Sequence, residues 1–219
     1  MFKEKKWEKQ KKLAAQEALA YVENDMIIGV GTGSTTNYFI DMLAHSGKKI
    51  AGAIPSSVAT EKKLKALNIP VVMLNHVQSV PLYIDGADRF NDLNYLIKGG
   101  GGALCREKII AKAAGCFICM VDESKYSASL SGFPLPIEVI PMARSFVARE
   151  IMKQIDGDPI FRENCLTDNG NIILDIFNLT INEPLKLESV LNQIPGVVAH
   201  GLFASIPADI IFIGEKIKK

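Results

Sequence analysis

Apolar residues fall along this chain in two rhythms. Between residues 5 and 22 they recur at helical spacing, with Leu13, Ala14, Ala18 and Tyr21 on one side of an amphipathic helix. Two short stretches, 26–31, apolar throughout, and 49–54, apolar after Lys49, then read as strands. Each precedes a helical pattern: 35–44, with Phe39, Ile40 and Leu43 apolar, and 58–67, which stops at Asn68 before Pro70. Further strands are expected at 71–75, 82–85 and 93–98, then a helix at 103–114 and a strand at 116–121. Strand and helix alternate, which predicts an α/β, Rossmann-like domain with a mainly parallel sheet.

After Lys125 the pattern changes. "YSASLSGFPLP" is a Ser/Gly/Pro-rich connector and a domain boundary. The elements beyond it read strand 135–140, helix 142–155, strands 160–167 and 171–177, helix 184–193 and strand 197–204. That β-α-β-β-α-β order is the ferredoxin-like α+β arrangement, with "TDNGN" (167–171) as the turn between its middle strands. A last strand at 209–214 can rejoin the first sheet, which makes the smaller domain an insertion. The expected division is 1–130 plus 206–219 for the Rossmann-like domain and 131–205 for the ferredoxin-like one, whose sheet edges and helix faces suit self-association.

Composition narrows the function. The chain has 219 residues, 48% of them hydrophobic, enough to bury a core. A net charge of +1 argues against a nucleic-acid partner. The Lys-rich start has no apolar stretch of signal-peptide type, and charge interrupts every apolar run before it reaches membrane-spanning length. The expectation is a cytoplasmic protein with no membrane partner. Cys116 and Cys119 form C-x-x-C, but inside the strand-like run "CFICMV" residues three apart face opposite ways, so the two sulfurs read as packing groups. His45, His76 and His200 are too scattered to suggest a site.

Four stretches carry chemistry. "GVGTGSTT" (29–36) follows a strand and opens a helix, so its backbone amides, with the hydroxyls of Ser34, Thr35 and Thr36, suit a phosphate. It lacks the lysine of a P-loop and the spacing of a dinucleotide site. The plainer reading is a tight turn with a Ser/Thr cap. "YIDGAD" places Asp85 and Asp88 at a strand end, where carboxylates can bind sugar hydroxyls or exchange protons, unless they serve only an Asp-Gly turn. "IKGGGGALCREK" ends a strand at Lys98, bares the backbone over Gly99–Gly102 and puts Glu107 in the first turns of a helix. Glu107 can be a base in a desolvated pocket, or pair locally with Arg106 and Lys108. Lys125, in "VDESK", is a ligand or a solvated lysine. All four stretches are expected to leave the C-terminal ends of strands in one sheet, and so to share one crevice.

Together, "GVGTGST", "SSVATEKKLKALNI", "YIDGAD", "IKGGGGALCREKII", "VDESK", "FPLPIEVIPMAR" and "TDNGNIILD" resemble the type A ribose-5-phosphate isomerases over nearly the whole chain. The resemblance implies an aldose–ketose isomerase interconverting ribose 5-phosphate and ribulose 5-phosphate in the non-oxidative pentose phosphate branch. It implies no cofactor and no metal, and a homodimer or homotetramer. By the same resemblance Thr32, Gly33, Ser34 and Thr35 form the phosphate loop, Asp85, Gly86, Ala87 and Asp88 a second substrate loop, and Lys98, Gly99, Gly100 and Gly101 a third. Glu107 falls on the proton acceptor, Lys125 on a substrate-binding lysine, and Lys11 near a basic residue that approaches the phosphate. Asp85 would shuttle the ring hydroxyl proton, and Lys98 with nearby amides would stabilise a cis-enediolate.

Three positions depart from that pattern. Arg89 stands where an acid is expected, and Gly102 and Cys105 where Ala and Thr are. Cys105, two residues before Glu107, is expected to confer sensitivity to thiol reagents. Two rival readings remain: a deaminating hexosamine-phosphate isomerase, which would want a histidine near these motifs, and a non-catalytic sugar-phosphate sensor, which would have lost part of the Asp85–Lys98–Glu107 set.

Overall fold

The computed structural model of the protein describes residues 2–218. In chain order the elements begin α1 (Phe2–Leu19), β1 (Ile27–Val30), α2 (Ser34–His45), β2 (Gly52–Pro55), α3 (Val58–Ala66) and β3 (Leu82–Gly86). There follow β4 (Arg89–Phe90), β5 (Leu96–Ile97), α4 (Leu104–Ala113), β6 (Phe117–Val121), β7 (Leu135–Val139), α5 (Arg144–Gln154) and β8 (Asp158–Phe161). The chain closes with β9 (Ile172–Phe177), α6 (Pro184–Asn192), β10 (Val197–His200), β11 (Leu202–Phe203), β12 (Ile210–Ile213) and β13 (Lys216–Lys218). It divides into two units. One holds the chain through Ala87, Ile109–Lys125 and the chain from Ala208; the other holds Asp88–Lys108 and Tyr126–Pro207.

The first unit is built on a sheet in the order β13-β12-β6-β3-β1-β2. Its strands run parallel except β13, which closes the edge antiparallel. Strands such as "FICMV" are apolar at every position because both faces of a parallel sheet are covered. The core packs Ile28, Val30, Ile84, Ile118 and Met120 with Phe39, Ile40 and Leu43 of α2 and with Ala14, Ala15 and Ala18 of α1. In this doubly wound order the chain leaves β1 towards β2 on one side and β3 on the other. The topological switch point, where such sheets bind ligands, therefore lies between the C-terminal ends of β1 and β3.

The second unit carries an antiparallel sheet, β10-β7-β9-β8, under α5 and α6. That is the ferredoxin-like order, as expected. The "TDNGN" turn closes with Thr167 N–H on Asn171 O at 2.9 Å and Gly170 at φ +79°. A separate antiparallel sheet, β11-β5-β4, belongs to the same unit.

Several expectations are corrected. The strand expected at 93–98 shrinks to β5, and it pairs with β4 and β11 rather than joining the parallel sheet. Those pairings carry residues 88–108 into the second unit, so the expected division at 130/131 does not follow the packing. The idea that all four chemical stretches leave one sheet fails with it: Lys98 leaves another. The strand expected at 197–204 breaks at Gly201, where the chain passes from β10 to β11. A Cβ on Gly201 would lie 2.1 Å from Lys98 O, so only glycine fits there. Residues 71–75 make no strand. Val71 forms one isolated bridge to Ala53, Leu74–His76 coils into a 3-10 turn, and Met73 turns out to solvent. The strand expected at 160–167 stops at Phe161, where Arg162 turns to Asp175. Helix α1 starts and ends early, which leaves Tyr21 37% exposed. Cys116 and Cys119 are free thiols, and Cys119 is buried in β6.

Candidate active site

At the switch point of the first unit, Asp85 is wholly buried near the end of β3. Its Oδ1 accepts the Thr32 N–H at 3.0 Å, the Gly86 N–H at 2.7 Å and the Thr36 hydroxyl at 3.3 Å. Its Oδ2 accepts the Tyr83 hydroxyl. The loop after β1 is thus tied to the end of β3. Gly31 permits the approach: a Cβ there would sit 1.8 Å from Asp85 Oδ1. Thr32 Oγ1 lies 2.8 Å from both Ser56 Oγ and Ser57 Oγ, and Thr60 donates to Gly31 O at 2.7 Å. Ser57 also caps α3, accepting the Thr60 N–H at 3.0 Å. Helix α2 begins at Ser34 behind Gly33, whose φ is +127° and which supplies no side-chain cap. First-turn amides without a side-chain acceptor, set beside hydroxyls, make a binding place for an anion. Lys125 follows β6 in a short turn braced by the buried Asp122, its N–H reaching Asp122 O at 3.1 Å.

The second unit gathers Asp88, Lys98, the glycine loop and Glu107. Lys98 and Glu107 are both buried, and Lys98 Nζ lies 3.4 Å from Glu107 Oε2. An ammonium at that range offsets the loss of hydration that burial imposes on a carboxylate. The Lys98 ammonium also stands over the Phe203 ring at 5.8 Å, and its backbone N–H donates to Gly201 O at 2.8 Å. Asp88 Oδ2 accepts the Gly100 N–H at 2.8 Å. Gly99, at φ +102°, and Gly102, at φ +79°, bend the loop, and the Gly102 N–H closes it on Gly99 O at 3.0 Å. From beyond β8, Arg162 donates to Gly99 O at 3.2 Å and Gly100 O at 3.1 Å while pairing with Asp175. Glu107's sequence neighbours point elsewhere. Arg106 reaches Asn169 Oδ1 at 2.9 Å and Asp168 O at 2.8 Å, and Lys108 pairs with Glu188 at 3.3 Å. The local-pairing reading of Glu107 is set aside.

Among the described residues, no three His, Cys, Asp or Glu side chains cluster as metal ligands, and no helix is long and apolar enough to cross a membrane. The model of the ribose 5-phosphate isomerase A (phosphoriboisomerase A) family matches residues 52–217. The chain belongs to this family. It is 58% identical over 206 residues to the ribose-5-phosphate isomerase A of Xylella fastidiosa, covering 94% of this chain and 96% of that one. A crystal structure of ribose 5 phosphate isomerase A from Neisseria gonorrhoeae superposes with a TM-score of 0.93 at 44% identity, over 97% of this chain and 96% of that one. A D-ribose-5-phosphate isomerase in complex with phospho-erythronic acid gives 0.92 at 40% identity, over 97% of each chain.

Some features of this family member do not show in its sequence. Arg89, the unexplained departure, holds the connector: it donates to Ser131 O at 2.9 Å and Gly132 O at 2.5 Å, and lies 5.9 Å from the Phe133 ring centroid. Cys105 is half-buried, and burial followed by the charge of Glu138 pushes its thiol up. A raised thiol lowers the fraction present as the reactive thiolate. Lys11 pairs with Glu8 at 2.7 Å. Ser56, Ser57, Thr60 and Tyr83 were missed as site-builders. The cap signature "SSVAT" and the two-residue spacing of Tyr83 from Asp85 on a strand could have found them. No local signal marks Arg162, Glu188 or His200. The last of these lies 3.2 Å from the Lys108 ammonium.

Proposed function

We propose that this chain interconverts D-ribose 5-phosphate and D-ribulose 5-phosphate, the reaction of its family, with Glu107 as the base. Glu107 takes the proton from C2 of the open-chain aldose. The electrons of that C–H bond form the C1–C2 double bond of a cis-enediolate, and the C1 carbonyl becomes an oxyanion. The O2 hydroxyl proton passes to the O1 oxyanion, the proton on Glu107 returns to C1, and the C2 oxygen becomes the new carbonyl, so one carboxylate serves two adjacent carbons from one face. Lys98 and the Gly99–Gly101 loop stabilise the enediolate oxygens, with Asp88 steadying that loop through Gly100. Asp85 takes part in ring opening by exchanging the ring hydroxyl proton, its oxygens positioned by Thr32, Thr36, Gly86 and Tyr83. Thr32, Gly33, Ser34 and Thr35 hold the phosphate, so that binding energy remote from the reacting carbons orients them. Gly86, Ala87 and Lys125 contribute to sugar binding. A homodimer or homotetramer is the proposed assembly.

The observation that carries the reading is the buried Lys98–Glu107 pair: a base and a cation of opposite roles, held out of water within 3.4 Å of each other. The test is Glu107→Gln, which keeps size and hydrogen-bonding capacity but removes the base. Turnover of ribose 5-phosphate is expected to fall about 100-fold or more with the fold intact by circular dichroism. Near-full turnover would discard the assignment.

A further inference from the structure

Lys108 follows Glu107 on α4, but its ammonium is turned to a different set of partners. It donates to Leu202 O at 2.5 Å and Glu188 Oε1 at 3.3 Å, lies 3.2 Å from His200 Nδ1, and stands 4.6 Å from the centroid of the Phe203 ring. These contacts span the four residues where the chain passes from β10 to β11. The same segment holds Lys98: Gly201 O accepts its backbone N–H, Leu202 pairs with Ile97 beside it, and the Phe203 ring lies under its ammonium. One side chain on the helix of Glu107 therefore clamps the segment that seats Lys98.

We infer that Lys108, as its ammonium, is a positioning residue that fixes Glu107 and Lys98 in one frame. The inference rests on the assignment of Glu107 and Lys98 to the isomerase reaction. A neutral amine keeps its bulk but loses the ion pair with Glu188 and weakens its hold on Leu202 O. Burial pushes the Lys108 ammonium down to about 8, against a counter-pull from Glu188 and then from Cys105. The other ionisable groups facing it are His200 and, across the Phe203 ring, Lys98. Burial, and then the charge of Lys108, push His200 down to about 3, so the imidazole stays neutral while the ammonium titrates. The sign follows: kcat falls as pH rises through the Lys108 titration, because the clamp is lost with its proton.

The experiment compares the wild type with Lys108→Arg and Lys108→Met, using kcat and KM for ribose 5-phosphate from pH 6.5 to 9.5 and amide hydrogen exchange of segments 96–99 and 200–203. Lys108→Met should lower kcat about 10- to 100-fold with KM changed far less, as expected of a misplaced base. It should also exchange faster in both segments. Lys108→Arg stays charged throughout, so the fall in kcat near pH 8 should vanish. An unchanged alkaline fall in Lys108→Arg overturns the inference, as does a Lys108→Met enzyme with kcat within about twofold of wild type, a difference too small for lost positioning. If Lys108→Met does not fold, Lys108→Arg decides alone. A wild type without isomerase turnover would instead sink the proposed function. Exchange then decides the clamp: unchanged exchange in Lys108→Met overturns it, as does, where that variant does not fold, wild-type exchange in both segments that rises no more steeply from pH 6.5 to 9.5 than that of Lys108→Arg.

Discussion

At the ends of β1 and β3, neutral groups do the holding. Hydroxyls of Thr36 and Tyr83 and the amides of Thr32 and Gly86 converge on one carboxylate, Asp85, while the hydroxyls of Ser56, Ser57 and Thr60 gather round Thr32 Oγ1. Around the loop after β5 the holding is done by charge: Lys98 with Glu107, Lys108 with Glu188, Arg162 with Asp175. A buried hydroxyl is cheap to satisfy and has several acceptable partners. A buried ion needs its counter-ion in place, and removing one leaves the other stranded. The first region should therefore resist changes of side-chain chemistry and yield only to added volume. The second should yield to single charge removals far along the chain.

Added volume is expected to give the largest effect. In Gly31→Ala the new methyl would overlap Asp85 Oδ1, an atom fixed by its donors. The clash cannot be relieved by swinging a free side chain. We expect a loss of roughly 3 kcal/mol in urea unfolding, the upper part of the range for overpacking, together with loss of turnover. Wild-type stability and activity in this variant would remove the close-packed backbone from the account of the first region.

The same contrast governs how much could be read in advance. The neutral region joins segments that each carry a local signal. A strand, a glycine turn and a helix start lie within one short run of sequence, and the parallel sheet follows from the alternation of elements, so Asp85 and the Thr32–Thr35 loop were legible. The charged region is not local. Arg162 stands more than sixty residues from Gly99, and Glu188 eighty from Lys108. Nothing near them announces either contact. The strand expected at 93–98 failed for a related reason. Its apolar run records burial, but its sheet partner, β11, lies about a hundred residues on, beyond a break at Gly201 that no strand pattern contains.

Charge removal is the second test. Arg162→Ala leaves Asp175, 11% exposed in its side chain, without its guanidinium and frees the carbonyls of Gly99 and Gly100. The Arg162 side chain is 19% exposed, so solvent screens part of the pair. A loss of about 2 kcal/mol is expected, below the full range for a buried pair. Turnover should fall with it, through looser placement of the glycine loop. A neutral replacement in the first region, Thr60→Val, offers the contrast, with a loss of about 1 kcal/mol for one hydroxyl hydrogen bond. Equal losses in urea melts of the two variants would erase the distinction between the regions.

The last effect is one of pH, and it belongs to the charged region. His200 is 1% exposed, and burial, then the nearby Lys108 charge, hold its imidazole down to about 3. Its ordinary value is 6.5. Between those two values the unfolded chain takes up a proton that the folded chain refuses. The stability tied to His200 is therefore complete above pH 6.5 and declines as pH falls toward 3, at no more than about 1.4 kcal/mol per pH unit. Replacing His200 with Asn removes the titration while keeping a polar side chain beside Lys108. Urea unfolding at pH 7.5 and pH 5 should show a smaller acid loss in His200→Asn than in the wild type. An equal loss in both would mean that the acid sensitivity comes from other groups, and that this buried imidazole adds nothing to the contrast between the charged region and the neutral one.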